Sequence, residues 1–223
     1  MTNLFIIQAR MGSTRLPGKV LMDLNGKPLV VRLYDELKKN SHNSAVVIAT
    51  STNTENDILE RELKARNIPI YRGPESDVLQ RFVEVIKQYQ PEIVIRATAD
   101  DPLMPAECAD LLIEELKNND ADYATIIDMP LGTSVEVFKA NALLNLLKNN
   151  NLTEEDHEHV TLYLYKNPDK YKILELPSPK KYNYPELSFT IDTLEEYLTI
   201  KEIYDKFGDN TNLELAIKYV KEK

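Results

Sequence analysis

Short apolar segments alternate along the chain with longer segments in which apolar residues recur at every third or fourth position. The short segments are rich in β-branched residues and bounded by turn residues, which predicts strands, whereas the longer ones have the period of a helix. The predicted strands cover residues 4–8, 45–50, 68–71, 93–97 and 123–127. Because helices connect strands that are apolar on both faces, this order predicts an α/β fold with a mostly parallel sheet.

Two of the connecting helices have typical first residues. The helix predicted at 28–39 has Pro28 in its first turn, where a missing N–H is tolerated, and the helix predicted at 76–88 has Ser76 as its N-cap. In a parallel sheet, ligands bind beyond the carboxyl ends of the strands. The loops that follow the strands are therefore the first candidates for a functional site.

Residues 124–185 depart from this regular alternation, and we predict that they form an inserted arm. Its predicted elements are a strand at 134–138, helices at 139–148 and 153–165, and an extended segment at 171–176. The arm is rich in tyrosine, which suits a packed flap or a homodimer contact, although ordinary half-buried tyrosines would give the same pattern. These tyrosines are Tyr163, Tyr165, Tyr171, Tyr182 and Tyr184. The chain then continues with a predicted strand at 187–191 and helices at 193–207 and 212–221.

Length and composition are typical of one globular domain. The 223 residues can form one sizeable core, and the chain has no low-complexity tract. A net charge of -9 leaves no basic face for the phosphates of a nucleic acid, so we expect no such partner. No segment approaches the roughly 18 apolar residues of a membrane span, and the chain starts directly in a strand pattern, so we expect a cytoplasmic protein without membrane contact. Cys108, the single cysteine, is predicted to be a small apolar helix residue.

The loop after the first strand combines three cations with two glycines. Residues 6–21 read IIQARMGSTRLPGKVL and place Arg10, Arg15 and Lys19 around Gly12 and Gly18. Glycine lets the backbone approach a ligand closely, guanidinium groups bind phosphate oxygens bidentately, and lysine supplies a compact charge. The loop therefore predicts triphosphate binding, with three solvated surface cations as the alternative. Its spacing fits neither the GxxxxGK[ST] phosphate loop nor the GxGxxG dinucleotide motif.

Seven segments between Gln8 and Tyr197 occur in the order and register of a known family. They read QARMGSTRLPGKVL, VIATSTN, YRGPESDVLQRF, IRATADDPLM, SVEVF, EHVTLYLYKNP and FTIDTLEEY. Together they resemble the cytidylyltransferase family of spore coat polysaccharide biosynthesis proteins, relatives of the enzymes that make CMP-sialic acid and CMP-Kdo. The resemblance implies a three-layer α/β/α nucleotidyltransferase fold, Rossmann-like and GT-A-like, with Mg²⁺ dependence, CTP as donor and release of pyrophosphate.

The resemblance also implies residues that bind the nucleotide. The Ala9 backbone matches part of a base pocket, and the catalytic cations Arg10, Arg15 and Lys19, with Ser13, match positions that bind the triphosphate. Lys19 would counter charge on the leaving pyrophosphate. The complete set assigned to the nucleotide is Gln8, Ala9, Arg10, Met11, Gly12, Ser13, Arg15, Lys19, Thr50, Arg72 and Ala99.

Two aspartates match the metal-binding positions of the family. Asp100, which we also expect to be catalytic, follows the strand predicted at 93–97, and Asp192 ends the strand predicted at 187–191. Mg²⁺ prefers oxygen ligands and is usually held by one or two carboxylates together with substrate phosphates. Aspartates at strand ends are also common turn and cap residues, so Asp192 could instead cap the following helix.

Three further residues are expected on the acceptor side of the site. The resemblance places Asp101, Glu136 and His159 near the acceptor, although Asp101 could be a turn residue, Glu136 an arm residue and His159 a dimer contact. Asp101 occupies a position where relatives often carry cysteine or glutamate, so the resemblance does not define the acceptor pocket at this residue.

The sequence as a whole predicts a Mg²⁺-dependent cytidylyltransferase. It would transfer CMP from CTP to a sugar acid or to a sugar or polyol phosphate, for a surface polysaccharide. Three alternatives remain. The first is a GT-A-type glycosyltransferase, which normally carries a DxD motif where this chain has ADDP, and the second is a transferase of another nucleotide, which usually has the sequence LAAG near its N-terminus. The third is a binding protein without activity. Released pyrophosphate distinguishes the predicted enzyme from a glycosyltransferase and from a binding protein, and the choice of nucleotide distinguishes it from the other transferases.

Overall fold

The computed structural model describes residues 3–40, 44–148 and 151–223. In chain order the helices and strands are β1 (Asn3–Gln8), β2 (Asp23–Leu24), β3 (Lys27–Pro28), α1 (Leu29–Asn40), β4 (Ser44–Ser51), α2 (Asp57–Ala65), β5 (Ile70–Gly73), α3 (Val78–Tyr89), β6 (Ile93–Thr98), α4 (Ala106–Asn118), β7 (Tyr123–Ile127), β8 (Glu136–Lys139), α5 (Ala140–Leu146), α6 (Glu154–Glu158), α7 (Leu162–Lys166), β9 (Ile173–Pro177), α8 (Leu194–Phe207) and α9 (Leu213–Lys221).

The central sheet has the strand order β5-β4-β1-β6-β8-β7-β9 within the described ranges. Only β8 runs antiparallel to its neighbours β6 and β7, whereas the other pairs are parallel. The prediction of a mostly parallel α/β sheet is therefore confirmed. Since β1, β4 and β6 are parallel neighbours, the loops that follow them meet at one edge of the sheet.

Side chains that alternate along β1 divide the core into two layers. Phe5 and Ile7 pack in one cluster with residues of α1, α4, α8 and α9. Leu4 and Ile6 pack on the opposite face with residues of α3 and α5. Successive side chains of a strand point to opposite faces, so one apolar strand contributes to both layers. The result is the three-layer α/β/α arrangement expected for the family.

The first residues of α1 and α3 differ from the prediction, because local contacts favour a different residue at each helix start. Helix α3 is capped by Asp77, whose side chain accepts a hydrogen bond from the backbone N–H of Gln80 at 2.7 Å, and not by Ser76. A carboxylate at the N-cap satisfies an unpaired N–H and also favours the positive end of the helix dipole. Pro28 pairs with Asp23 in the short hairpin β2–β3, and α1 begins one residue later.

The helix predicted at 153–165 is two short helices. Thr153 caps α6 in a reciprocal capping box with Asp156. The buried Val160 then has φ 48°, a left-handed conformation that β-branched residues rarely adopt, and α7 follows it. The apolar period continues through this break, so the sequence pattern alone gives no sign of it.

The segment predicted as an inserted arm contributes β7, β8 and β9 to the central sheet. Those three strands are therefore part of the main sheet, as predicted for 123–127, and a dimer contact by the tyrosines of residues 124–185 stays a prediction. Antiparallel pairing of β8 between β6 and β7 explains the irregular pattern, because the connection from β7 to β8 contains no helix.

The segment predicted as a strand at 187–191 forms only an isolated bridge between Leu131 and Ser188. Beside that bridge, Gly132 has φ 78°, and a Cβ at this position would lie 2.5 Å from the Thr190 nitrogen. The backbone N–H of Ile191 then donates to the carbonyl of Asp100 at 2.9 Å. The extended segment thus crosses the ends of the sheet strands and places Asp192 close to Asp100. In the described ranges, no helix is both long and apolar enough to span a membrane.

Candidate active site

A cleft lies at the carboxyl ends of β1 and β6. The two strands are paired up to Gln8 and Thr98. Beyond them, the backbone N–H of Ala9 donates to the carbonyl of Ala49 at 3.1 Å, and that of Ala99 donates to the carbonyl of Gln8 at 3.0 Å. These bonds hold the loops after both strands side by side. The predicted triphosphate loop and the predicted metal ligands therefore face one cavity.

The glycine loop is folded around the backbone of Met11. The Met11 carbonyl accepts hydrogen bonds from the N–H groups of Ser13 and Gly18, both at 2.9 Å, and its own N–H donates to Asn56 Oδ1 at 2.8 Å. Gly18 has φ 74°, which lets the chain turn into the short 3₁₀ helix that carries Lys19. The fully buried Asn56 also donates from its amide to Ser51 Oγ at 2.8 Å. Asn56 thereby attaches the loop to the end of β4.

Lys19 is buried, and its ammonium is shared by two aspartates. Nζ lies 2.7 Å from Asp100 Oδ2 and 2.8 Å from Asp192 Oδ1, and it also donates to the carbonyl of Ile191 at 2.8 Å. Burial alone lowers the pKa of Lys19, but the two carboxylates outweigh it and raise that pKa above its ordinary value. The side chain is therefore held as an ammonium ion at physiological pH.

Arg15 contacts the second oxygen of Asp192. Its Nη2 atom lies 2.8 Å from Asp192 Oδ2, and 65% of the Arg15 side chain is exposed. Although burial alone raises the pKa of Asp192, hydrogen bonds and charges of Lys19 and Arg15 hold it below the usual range. Asp192 is thus an ionised carboxylate between two cations, while the exposed Arg15 guanidinium can turn toward a phosphate in the cleft.

The opposite side of the cleft contains Arg10, Arg81 and Glu158. Arg10 lies 3.2 Å from Glu75 Oε1 through Nη1 and 3.1 Å from Glu158 Oε1 through Nη2. Arg81, which sequence reasoning missed, lines the cleft from α3 and donates to the carbonyls of Pro74 and Glu75 at 2.5 and 3.0 Å. Its spacing of four residues from Asp77 is typical of an ordinary pair on one helix face, so the sequence did not assign it to the site. An incoming polyanion would exchange the carboxylate partners of Arg10 for phosphate oxygens.

A second cavity lies on the other side of β6, around the Arg96 and Glu136 pair. Arg96 Nη1 lies 2.5 Å from Glu136 Oε2, and Glu136 Oε1 accepts hydrogen bonds from the hydroxyls of Tyr123 at 2.6 Å and Thr161 at 3.0 Å. Desolvation alone raises the pKa of Glu136, but Arg96 and these hydroxyls hold it below the ordinary value. The Glu136 carboxylate is therefore ionised, and its contacts connect Arg96 of β6, Tyr123 of β7 and Thr161, the residue before α7.

Asp101 lies next to Asp100 but lines the second cavity. Its Oδ2 accepts a hydrogen bond from the Thr98 hydroxyl at 2.5 Å. Burial of the carboxyl raises the pKa of Asp101 to about 7, and the charge of the neighbouring Asp100 is the second cause of this increase. The two neighbouring aspartates thus differ in environment, and only Asp100 contacts Lys19.

The comparison with known protein families identifies the chain. A family model described as Cytidylyltransferase matches residues 4–221. The chain belongs to the cytidylyltransferase family. The resemblance drawn from the seven sequence segments is therefore confirmed, and the protein is a nucleotidyltransferase.

Individual relatives of this cytidylyltransferase agree with that placement. It is 39% identical over 214 residues to the spore coat polysaccharide biosynthesis protein SpsF of Bacillus subtilis (strain 168), covering 94% of this chain and 89% of that protein. A cytidylyltransferase from Leptospira borgpetersenii superposes with a TM-score of 0.90 at 27% identity, over 99% of this chain and 94% of the other. The structure of CMP:2-keto-3-deoxy-manno-octonic acid synthetase complexed with CTP has a TM-score of 0.71 at 17% identity, over 92% and 99% of the chains, and shares the fold.

Most residues predicted for the nucleotide and the metal line the first cavity of this cytidylyltransferase. They are Gln8, Ala9, Arg10, Gly12, Ser13, Arg15, Lys19, Ala99, Asp100 and Asp192. Of the residues predicted for the acceptor, Asp101 and Glu136 line the second cavity. The structure thus separates the predicted site residues into two adjacent groups, whose roles stay predictions.

Four predicted residues line neither cavity. Arg72 contacts Asp57 at 2.8 Å and Glu60 at 2.5 Å, which ties it to α2. Met11 acts through its backbone, as described above, and Thr50 is fully buried in β4. His159 is exposed, whereas its neighbour His157 lies 2.8 Å from Asp77. The sequence motifs identify the region of a site but do not show which of their side chains reach it.

The donor set fits a divalent cation held partly by substrate. In the described ranges, no group of three or more His, Cys, Asp or Glu side chains is placed to hold a metal ion. Asp100 and Asp192 nevertheless converge on one cation, because both carboxylates contact the same Lys19 ammonium. Two convergent carboxylates with phosphate oxygens are a common way to bind Mg²⁺.

Proposed function

We propose that this cytidylyltransferase transfers CMP from CTP to a small-molecule acceptor and releases pyrophosphate. The observation that carries the proposal is the convergence of Lys19, Asp100 and Asp192 at the end of the glycine loop, in a cleft that also contains Arg10 and Arg15. Such an arrangement matches what phosphoryl-group transfer requires, because that chemistry depends mainly on positioning and charge neutralisation.

The nucleotide would lie along the glycine loop. Backbone groups around Ala9 would contact the base, and Ser13 with the cations Arg10 and Arg15 would contact the phosphates. Because Arg10 and Arg15 are bound to carboxylates on an open surface, phosphate oxygens can replace those partners at modest cost. The solved fold neighbour that carries CTP supports the choice of nucleotide.

Asp100 and Asp192 would hold a divalent cation, which we propose to be Mg²⁺. Bound there, the metal would supply neutralisation of negative charge on the phosphate oxygens. Two cations cannot share the position that Lys19 Nζ now holds between both carboxylates. The Lys19 ammonium would therefore turn toward the phosphates, where it would counter the charge that develops on pyrophosphate.

The acceptor would be a sugar acid or a sugar or polyol phosphate that enters a surface polysaccharide. The relative SpsF, whose printed name refers to spore coat polysaccharide biosynthesis, supports this context. We also propose that the enzyme acts in the cytoplasm as a homodimer, with half-buried tyrosines such as Tyr163 and Tyr171 at the contact. Light scattering at micromolar concentration tests the dimer, and a monomeric mass would contradict it.

Thermal unfolding with each of CTP, UTP, GTP and ATP, with and without Mg²⁺, tests the proposed donor. A ligand at about 100 times its dissociation constant adds roughly 2.7 kcal/mol of stability, which for a chain of this size is a shift of about 5 to 10 °C. We expect the full shift with CTP and Mg²⁺ together. An equal shift with another nucleotide would contradict CTP as the donor, and the absence of any shift would contradict nucleotide binding.

A further inference from the structure

The second cavity is adjacent to the proposed site of phosphoryl transfer. Asp101 lines it directly after Asp100, which lines the first cavity. Arg96 lines it as well, and its Nε donates to Oε1 of Gln8, a residue of the first cavity, at 3.2 Å. An acceptor whose reactive oxygen lies near Asp100 would therefore extend the rest of its structure into this second cavity.

The charged groups of this cavity do not favour a second anion. Its only cation, within the described ranges, is Arg96, which already contacts Glu136 at 2.5 Å and Gln8 at 3.2 Å. Glu136 and the exposed Glu175 bring two carboxylates to the lining. Asp101 adds a carboxyl group, which supplies no positive charge in either protonation state. A carboxylate or phosphate placed here would meet like charges without a free cation.

Two aromatic rings complete the lining. Tyr123 and Tyr165 are 6.0 Å apart between ring centroids, with 48° between their planes. Tyr165 is 42% exposed, so part of its ring is accessible to a ligand. Rings of tyrosine attract a cation through their negative faces, and carboxylates beside them strengthen that attraction. The accessible ring of Tyr165 and the exposed carboxylate of Glu175 are suited to an ammonium group and poorly suited to an anion.

We infer that the second cavity binds a protonated amino group of the acceptor. This inference rests on the proposed function. In transfer to a phosphate acceptor, an anionic oxygen of that phosphate forms a new bond to the α-phosphorus of CTP while the bond from that phosphorus to pyrophosphate breaks. No proton has to move, because the attacking oxygen is already ionised. The amino group changes no bonds and serves to orient the acceptor.

Two matched series of acceptors test the inference. The first contains 2-aminoethyl, 2-hydroxyethyl and carboxymethyl phosphate, and the second contains glucosamine 1-phosphate and glucose 1-phosphate. Binding to the enzyme with a non-hydrolysable CTP analogue and Mg²⁺ is measured by calorimetry, and pyrophosphate release is measured with CTP. We expect the amine of each series to bind about tenfold more tightly than its hydroxyl analogue, as loss of a charged hydrogen bond implies, and the carboxylate to bind most weakly.

Glu175→Gln is the matching variant, because Glu175 is exposed on β9 and its substitution does not disturb the core. It should reduce the preference for the amine, whereas Glu186→Gln, an exposed glutamate that lines neither cavity, should keep it. Four outcomes would each overturn the inference. They are equal binding of the amine and the hydroxyl analogue, tighter binding of the carboxylate, no detectable binding of any amine, and an unchanged preference for the amine in Glu175→Gln. If the CTP analogue binds in those cases, the proposed function stands; if it does not bind, the proposed function itself fails.

Discussion

The carboxylates of Asp100 and Asp192 are bridged by one ammonium group, that of Lys19, at 2.7 and 2.8 Å. The two aspartates come from loops 92 positions apart in the chain, since 192 − 100 = 92. They meet because the Ile191 N–H donates to the Asp100 carbonyl. A pair of carboxylates that already converges on one positive charge is preorganised for another cation, and this arrangement leads to the first two predictions.

Removal of either carboxylate should abolish metal-dependent catalysis. Asp100→Asn and Asp192→Asn keep the side-chain size but lose the negative charge that would hold the metal, so we expect pyrophosphate release to fall at least about 100-fold. The shift in melting temperature that CTP gives with Mg²⁺ should fall to the shift seen without the metal. Asp110→Asn, at an exposed position of α4, is the control. Normal turnover in either active-site variant would contradict the proposed metal site.

Lys19→Met should make the free enzyme less stable but more responsive to metal. Loss of the ammonium leaves two partly exposed carboxylates facing each other, which should lower stability by about 2 kcal/mol and the melting temperature by about 4 to 8 °C. Without nucleotide, Mg²⁺ should then stabilise the variant more than the wild type, because no ammonium competes for the two aspartates. An equal effect of Mg²⁺ on both proteins would show that Lys19 does not occupy the metal position.

The raised pKa of Asp101 predicts a pH dependence of stability in the metal-free protein. Its pKa in the folded protein is about 7, against 3.8 for the ordinary group, so between these values the folded state binds more protons than the unfolded state. Stability from this group is therefore highest below pH 4 and is lost as the pH rises toward 7.

Asp101→Asn tests that dependence, because an amide oxygen still accepts the Thr98 hydroxyl but carries no charge. In thermal unfolding from pH 4 to 8, the variant should lose less stability with rising pH than the wild type does. Parallel curves for the two proteins would show that the Asp101 carboxyl ionises normally in the folded state.

Asn56 should determine affinity for the nucleotide without touching it. Asn56→Ala leaves the Met11 N–H without its acceptor and frees the loop from Ser51 Oγ. We expect KM for CTP to rise about tenfold with a smaller change in kcat, and stability to fall by about 1 to 3 kcal/mol. Asn118→Ala, exposed at the end of α4, is the control. Asn56→Asp keeps the acceptor for Met11 and should restore part of the affinity; a KM unchanged in Asn56→Ala would argue against loop anchoring.

Local patterns predicted those parts of the fold and site that local sequence determines. The strand ending at Gln8 and the glycine loop with Lys19 follow from residues close in sequence, whereas α8 is capped by Thr193 and not by Asp192. The contacts of Lys19 with Asp100 and of Asn56 with the Met11 backbone could not be predicted, because each joins positions more than 40 residues apart. The left-handed backbone at Val160 was missed because a β-branched residue normally excludes it.

The contact between Lys19 and Asp192 joins positions 173 residues apart. During synthesis on the ribosome, the glycine loop and β1 emerge before Asp192, which follows Lys19 by 173 positions. A chain that has not reached Asp192 therefore has the cations of the proposed nucleotide site but not its second carboxylate. Formation of such a distant contact is a late folding event. Chains that stop before Asp192 should therefore be unable to bring the two aspartates together and should be catalytically inactive.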